Sequence, residues 1–481
     1  MTFNSFLPLT HRRLSFGEKR AVILRVDELL ELTYRSQEPS GTRQPIGRIA
    51  DPDRLAGSVA AGRRSAIHRK RVLSRLGLIP EISSAENRND AEEELFEGPN
   101  GRRLHNNLIH HGRWVCRASK PSCDDCVLIS FCGTGRSVDQ QDRRPVAVEL
   151  FAGAGGLGTG FASQGFRIAL AIESDMRAAQ TYRLNHPGTV VLEADVRTVN
   201  ARVARALVPS ANKPTAVIAG PPCQGYSAAG KREPDAEQNA LFREVTRLAR
   251  DLKARFVAIE NVPGMRRVSG VRFTTAVIEE FHRTGYAAEE HLLRACDFGV
   301  PQLRHRIVFL AQLAARGQAP SQPEPTHCPS WAGVACARQS QQCALPQTPT
   351  VLEALADLPL FGCGELAEFR EVRGRILTNA STMAHSGRVV KKISLIEPGT
   401  GPISYRRLHK DLARTIVAGH RALPVHPTLD RAISVREAAR IQGFDDSYAF
   451  CGPRAAQPLQ VANAVPPPMA AAIAKQLLVL L

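Results

Sequence analysis

The sequence predicts an α/β protein. A parallel, doubly wound sheet follows a mainly helical amino-terminal module and is interrupted by a smaller irregular region. Three observations predict this. From about residue 145, short β-branched runs (PVAVELF, RIALAIE, TVVLEAD, TAVIAG, FVAIENV and RIVFLAQL) alternate with helix-length segments, as βαβ units require. The tips of these runs carry Gly, Pro, Asp or Glu, and open parallel sheets bind ligands at the carboxyl ends of their strands. Before residue 145 the apolar spacing is helical, and between 311 and about 405 the chain turns rich in Gln, Pro, Ala and Cys.

With 481 residues the chain is long enough for about three domains. Its 43% hydrophobic and 23% charged residues exclude a disordered polymer. No apolar run approaches the ~18 residues of a membrane helix. The start, MTFNSFLPLTHRRL, lacks a signal-peptide layout, so a cytoplasmic protein is expected. The net charge of +17 favours a polyanionic partner, nucleic acid above all.

Residues 1–140 form the first region, with AVILRVDELLELTYR (21–35) as its clearest amphipathic segment. A basic run at 63–75 and an acidic one at 89–97 read as solvated helix faces; contact with DNA phosphates is the alternative for the first. Cys116, Cys123, Cys126 and Cys132 then crowd together as C-x6-C-x2-C-x5-C. Structural zinc sites more often use two close pairs, and four thiolates in a compact loop also suit a [4Fe–4S] cluster. Lys120, Arg113 and Arg117 stand beside them. Among the remaining cysteines, Cys328, Cys336, Cys343 and Cys363 contain no C-x-x-C pair and read as ordinary loop or core residues.

The next region spans 145–310. Its first strand runs into Gly153, Gly155 and Gly158, which fit G-x-G-x-x-G, and Glu173 ends the second strand. Glycines let backbone approach a ligand, and a carboxylate at that point suits ribose hydroxyls. The loop specifies a nucleoside cofactor, with NAD and S-adenosylmethionine both open. A later strand ends in Gly220-Pro221-Pro222-Cys223, where the prolines fix the backbone before a candidate nucleophile. Glu260 and Asn261 tip another strand, and a carboxylate there suits proton donation to a ring nitrogen. Gln302, Arg304 and Arg306 alternate and share one face of an extended segment, which suits a carbonyl oxygen or a phosphate. The stretch 311–425 is the irregular region, and 426–481 returns to helical texture.

Together these residues resemble the DNA (cytosine-5)-methyltransferase family. VELFAGAGGLGTGF looks like its cofactor loop, GPPCQGYSAAGKR its catalytic loop, ENVPG its glutamate motif and PQLRHRIVFL its Gln-x-Arg-x-Arg motif. HPTLDRAISVREAARIQGF and QVANAVPPPMAAAIA look like its two carboxyl-terminal motifs, and all come in family order. The resemblance implies a Rossmann-like methyltransferase sheet and a target-recognition region at 311–425. It also implies double-stranded DNA as substrate, and commonly a separate restriction endonuclease as companion. It casts Cys223 as nucleophile, Glu260 as the group at cytosine N3, and Arg306, supported by Gln302 and Arg304, as the ligand of the O2 side. It assigns S-adenosylmethionine to Phe151, Gly153, Gly155, Glu173, Asp195, Leu241, Asn463 and Val465. Glu149 stands where Asp is common, and Ala462 where Gly is usual. The loop LHNNLIHHGRWVCRASKPSCDDCVLISFC is similar to the iron–sulfur loop of the endonuclease III family, without that family's catalytic residues upstream. Competing readings are a DNA-binding or repair-associated protein with a degenerate methyltransferase part, and an NAD-dependent enzyme.

Overall fold

The computed structural model describes Val26 and residues 69–76, 78, 101–117, 121–123, 126, 128, 132, 144–208, 214–222, 240–266, 273–329, 344–367, 369–372, 375–402, 405–417 and 423–481. The chain divides into two units. One comprises residues 1–143 with His186–Val190 and Arg205–Ala211, and the other comprises the rest.

In the first unit, helix α1 (Gly101–Trp114) follows a helical segment at 69–75. Leu73, Leu76, Leu104, Leu108 and Leu128 are buried there. The last carbonyls of a helix lack intrahelical partners, and here two arginines of the basic run supply them. Arg71 donates from Nη2 to Gly112 O at 2.5 Å and from Nε to Cys116 O at 2.8 Å. Arg75 donates to Arg117 O at 2.8 Å. Arg71 and Arg75 thus direct part of their guanidinium donors to the chain at and just after the end of α1; residues 63–68 of the basic run lie outside the described residues. Apart from Val26, the segment 21–35 lies outside the described residues, as do the acidic run at 89–97 and Lys120.

The second unit is built on a seven-stranded sheet. Its strands are β1 (Val146–Leu150), β2 (Arg167–Glu173), β3 (Val190–Glu193), β4 (Ala216–Ala219), β5 (Phe256–Asn261), β6 (Tyr286–Arg294) and β8 (His305–Leu313), in the order β3-β2-β1-β4-β5-β8-β6. β1 pairs in parallel with β2 and β4, and β4 with β5. β8 runs antiparallel to both β5 and β6. The sheet is thus mixed, which corrects the expected all-parallel arrangement. The buried run of β8 has the same apolar texture in either direction, so composition could not reveal its polarity. β6 escaped the sequence reading because Glu289 and Glu290 interrupt it while Tyr286, His291 and Leu293 face inward.

The helices are α2 (Gly156–Ser163), α3 (Met176–Asn185), α4 (Ala201–Leu207), α5 (Phe242–Leu252), α6 (Phe273–Arg283), α7 (Val351–Leu355), α8 (Gly387–Ser394), α9 (Val435–Ile441), α10 (Gln457–Asn463) and α11 (Pro467–Leu478). The terminal helix α11 packs on α2. At Gly160 a side chain would run into Ala470 and the Pro467 carbonyl, so glycine permits this close crossing. Met469, Ile473 and Leu477 complete the sheet's apolar core with Phe161, Ile168 and Val308.

A second core joins Val351, Leu355, Phe361 and Leu377 to Ile433, Ile441, Phe444 and Val461. Short strands serve this part. β9 (Phe369–Val372) pairs antiparallel with β10 (Arg375–Thr378), and β11 (Ala413–Arg414) pairs in parallel with β7 (Gln302–Leu303). β8 continues to Leu313, past the boundary expected at 311. Cys328 is disulfide-bonded, which corrects its reading as an ordinary cysteine. No helix among the described residues is long and apolar enough to cross a membrane.

Candidate active site

Two clusters of polar side chains gather at the carboxyl tips of β1, β2, β4 and β5. The first surrounds the loop after β1. Phe151 adopts φ 53°, a left-handed conformation that a bulky residue takes only under constraint, and Gly153 and Gly155 follow at φ 54° and 91°. This curl aims Gly153 N–H at the tip of β2, where it donates to Glu173 Oε2 at 2.7 Å. Asp175 N–H donates to Glu173 Oε1 at 2.7 Å. Burial raises the Glu173 carboxyl above its ordinary range, and these amide donors oppose the rise. Beyond β3, Asp195 caps a short 3-10 turn (Val196–Thr198) and meets Arg197 Nη2 at 2.6 Å. Arg197 holds the Asp195 carboxyl below the usual range.

The far wall comes from the carboxyl terminus. The Val465 carbonyl abuts Gly156 so closely that a side chain there would not fit. The Tyr448 hydroxyl donates to Ala154 O. Leu241 is half-buried at the start of α5, Asn463 is exposed at the end of α10, and Val465 is buried. Ala462 lies inside α10 with an ordinary backbone, so the missing glycine imposes no strain.

The second cluster lies at β4 and β5. Glu260 Oε1 forms an ion pair with Arg306 Nε at 2.6 Å, both side chains being 11% exposed. Arg306 Nη1 also donates to His305 O at 2.7 Å. Glu260 Oε2 faces Gly220 at the tip of β4. Asn261 Nδ2 donates to Pro221 O at 3.4 Å, and Asn261 Oδ1 accepts from Val262 N–H at 2.8 Å. Pro221 is buried, Pro222 is exposed, and Cys223 lies outside the described residues. A carboxylate and a guanidinium thus stand beside the segment that leads into Cys223.

These features coincide with a known family over most of the chain. The C-5 cytosine-specific DNA methylase family matches residues 146–479. The chain belongs to this family. It is 34% identical to the type II methyltransferase M1.HphI of Haemophilus parahaemolyticus over 69% of this chain and 86% of that protein. It is 29% identical to the type II methyltransferase M.DdeI of Desulfomicrobium norvegicum, over 69% and 88%. Among solved structures, an E. coli prophage-encoded DNA modification methyltransferase superposes with a TM-score of 0.58 at 25% identity, covering 70% of this chain and 99% of that one.

In this cytosine-5 DNA methylase Gln302, Arg304 and Arg306 are buried while His305 is exposed, as the alternation requires. The Gln302 amide makes its hydrogen bonds toward the 413–416 segment and the carboxyl-terminal helices. Its Nε2 donates to Gln442 Oε1 at 2.8 Å and its Oε1 accepts from Ile416 N–H at 3.1 Å. Gln442 in turn donates to Val461 O at 2.9 Å. Gln302 is a buried tie between β7, the 413–416 segment and the carboxyl-terminal helices.

Sequence reasoning did not single out Glu149 as a site residue. Its fully buried carboxyl accepts from Tyr182 Oη at 2.6 Å and from Gly158 N–H at 3.1 Å. Burial pushes it up to about 8. Its place on a five-residue buried strand was the available signal.

In the first unit, Cys126 feels the thiols of Cys116, Cys123 and Cys132, and burial is the main cause that raises it. Arg75 Nη1 donates to Cys116 Sγ at 3.1 Å, and His111 Nε2 lies 3.4 Å from Cys126 Sγ. Among the described residues, no three His, Cys, Asp or Glu side chains are grouped to hold a metal ion.

Proposed function

We propose that the enzyme transfers the methyl group of S-adenosylmethionine to C5 of a cytosine flipped out of duplex DNA. The observation that carries this reading is the buried Glu260–Arg306 pair beside Gly220-Pro221-Pro222. Cytosine C5 is a poor nucleophile. The Cys223 thiolate adds at C6 while Glu260 holds or protonates N3 and Arg306 holds the O2 side, with Arg304 behind it. The resulting enamine attacks the methyl group from C5, and S-adenosylhomocysteine leaves. A base then removes the C5 proton, and elimination expels Cys223 as any proton taken up at N3 returns to Glu260. An enzyme cannot reach C6 in a stacked base, so the cytosine must flip.

The methyl donor is a substrate held by the first cluster. Glu173 faces the ribose, Asp195 and Leu241 the adenine, and Phe151, Gly153, Gly155, Asn463 and Val465 the methionine end. Residues 311–425 read the DNA sequence. The relatives are named type II methyltransferases, which supports a modification role beside a separate restriction endonuclease.

The test uses unmethylated DNA, labelled S-adenosylmethionine and bisulfite sequencing. Label at cytosine C5 in one sequence context, lost in Cys223→Ser, is expected. No transfer from a folded protein that binds both substrates would sink the reading.

We further propose that Cys116, Cys123, Cys126 and Cys132 hold a [4Fe–4S] cluster. The C-x6-C-x2-C-x5-C spacing along one segment supports it, and so does the Arg75 donor on Cys116. Such a cluster supplies a rigid cross-link for a small helical unit. Anaerobic purification should yield about four irons per chain. One tightly bound zinc, or no metal, would overturn the assignment.

A further inference from the structure

We infer that Arg247 is a positioning residue for the adenosyl end of the methyl donor, acting through the turn that carries Asp195. This rests on the assignment of Asp195 and Leu241 to the adenine. Those two residues lie on different elements. Asp195 follows β3, the edge strand of the sheet, and Leu241 immediately precedes α5. One guanidinium spans them. Arg247, in the second turn of α5, donates from Nη2 to Val199 O at 2.9 Å and to Val196 O at 3.3 Å. These are the first residue of the Asp195-capped turn and the residue just beyond it.

The clamp is itself fixed. Glu244, one helical turn back, accepts from Arg247 Nε at 2.9 Å and from Nη2 at 2.6 Å. On the turn, Asp195 Oδ1 accepts from Arg197 N–H at 2.9 Å, and Oδ2 accepts from Arg197 Nη2 at 2.6 Å. Glu244 therefore orients Arg247, Arg247 holds the turn, and the turn presents a carboxylate whose rotamer Arg197 has set. A carboxylate fixed before the ligand arrives loses less freedom on binding. The side chains of Val196 and Val199 are buried while Arg197 and Thr198 are exposed, so Arg247 ties down the backbone carbonyls of a turn whose apolar side chains already pack inward.

The geometry does not involve the cytosine pocket. Loss of Arg247 should therefore weaken donor binding and leave turnover at saturation almost intact. Charge-assisted hydrogen bonds act on the turn, and only part of their strength reaches the ligand. A rise of roughly five- to twentyfold in Kd is expected for Arg247→Ala. Lysine has no planar fork, so Arg247→Lys should recover part of the loss.

The experiment is calorimetric titration of the full-length protein with S-adenosylhomocysteine, with steady-state KM and kcat for S-adenosylmethionine. It compares wild type with Arg247→Ala, Arg247→Lys, Glu244→Gln and Asp195→Ala. Weaker binding in Arg247→Ala, partial rescue by lysine, and kcat within about twofold of wild type support the inference. Wild-type affinity in Arg247→Ala alongside weakened Asp195→Ala overturns the clamp and spares the adenine assignment. Wild-type affinity in Asp195→Ala overturns the assignment and the inference with it. Where Arg247→Ala fails to fold, Glu244→Gln decides: a raised Kd supports the clamp and an unchanged Kd rejects it.

Discussion

Arg306 Nε lies 2.6 Å from Glu260 Oε1 because their strands run in opposite directions. β5 ends at Asn261, with Glu260 opposite Val308 and Asn261 opposite Ile307. The antiparallel β8 therefore starts where β5 finishes, and its first residues reach the carboxyl edge of the sheet. A parallel β8 would have put Arg306 at the far edge. The departure from an all-parallel sheet is what brings the two charges together.

The pair should respond asymmetrically to mutation. Arg306→Ala leaves a buried carboxylate without its counter-charge, and breaking such a pair costs about 3–5 kcal/mol. We expect a loss of stability in denaturant melts together with a loss of methylation. Glu260→Gln keeps the shape but removes the proposed proton transfer at cytosine N3, and should lower kcat by about 10²- to 10⁴-fold while the protein stays folded. A Glu260→Gln enzyme with wild-type kcat would remove Glu260 from the chemistry.

Asn261 ties the end of β5 to the carbonyl of Pro221, two residues before Cys223. Asn261→Ala removes that donor and leaves the Pro-Pro segment held by its own stiffness. We expect kcat to fall about tenfold, by ~1.4 kcal/mol of barrier, with KM for S-adenosylmethionine unchanged. A change confined to KM would place Asn261 in donor binding instead.

The cofactor loop and the strand tips were legible because their chemistry is local. Glycine spacing, Pro-Pro-Cys and a carboxylate at a strand end are read within a few residues. What stayed hidden was long-range. The polarity of β8 depends on its neighbours, and the charged, half-exposed β6 lacks a continuous apolar run. The role of Gln302 is set by Gln442, 140 residues away. The bonds from Arg71 and Arg75 were not legible because their acceptors include backbone carbonyls just beyond a later helix, and carbonyls leave no mark in a sequence.

Glu149 predicts a pH dependence. Its carboxyl rises from 4.5 unfolded to about 8 in the fold, chiefly through burial. The folded state therefore binds this proton more tightly than the unfolded state. The associated stability is fully present below about pH 4.5 and is lost as pH rises towards 8, by at most ~1.4 kcal/mol per unit. Tyr182 and Glu173 are the titratable groups that act on it. Glu149→Gln removes the titration, so its melting temperature should fall less than that of wild type between pH 6 and 8.5. Parallel melting curves would show that Glu149 stays ionised.

Arg75 connects the helical segment at 69–75 to two of the four cysteines. It donates to Cys116 Sγ at 3.1 Å, and its carbonyl lies 3.3 Å from Cys132 Sγ. A thiolate ligand carries negative charge, and a guanidinium donor on its sulfur offsets part of it. Arg75→Ala removes that donor and also frees the carbonyl of Arg117. On the proposed [4Fe–4S] assignment, outer partners of metal ligands typically contribute 10- to 100-fold in affinity, so the variant should lose iron faster under chelator or air. Arg75→Lys keeps the charge without the fork and should lie between. Methylation with the metal already lost separates two roles for the unit. Activity that survives iron loss makes the unit a structural appendage to the methylase, whereas activity that falls in step with iron makes it part of the DNA-binding apparatus.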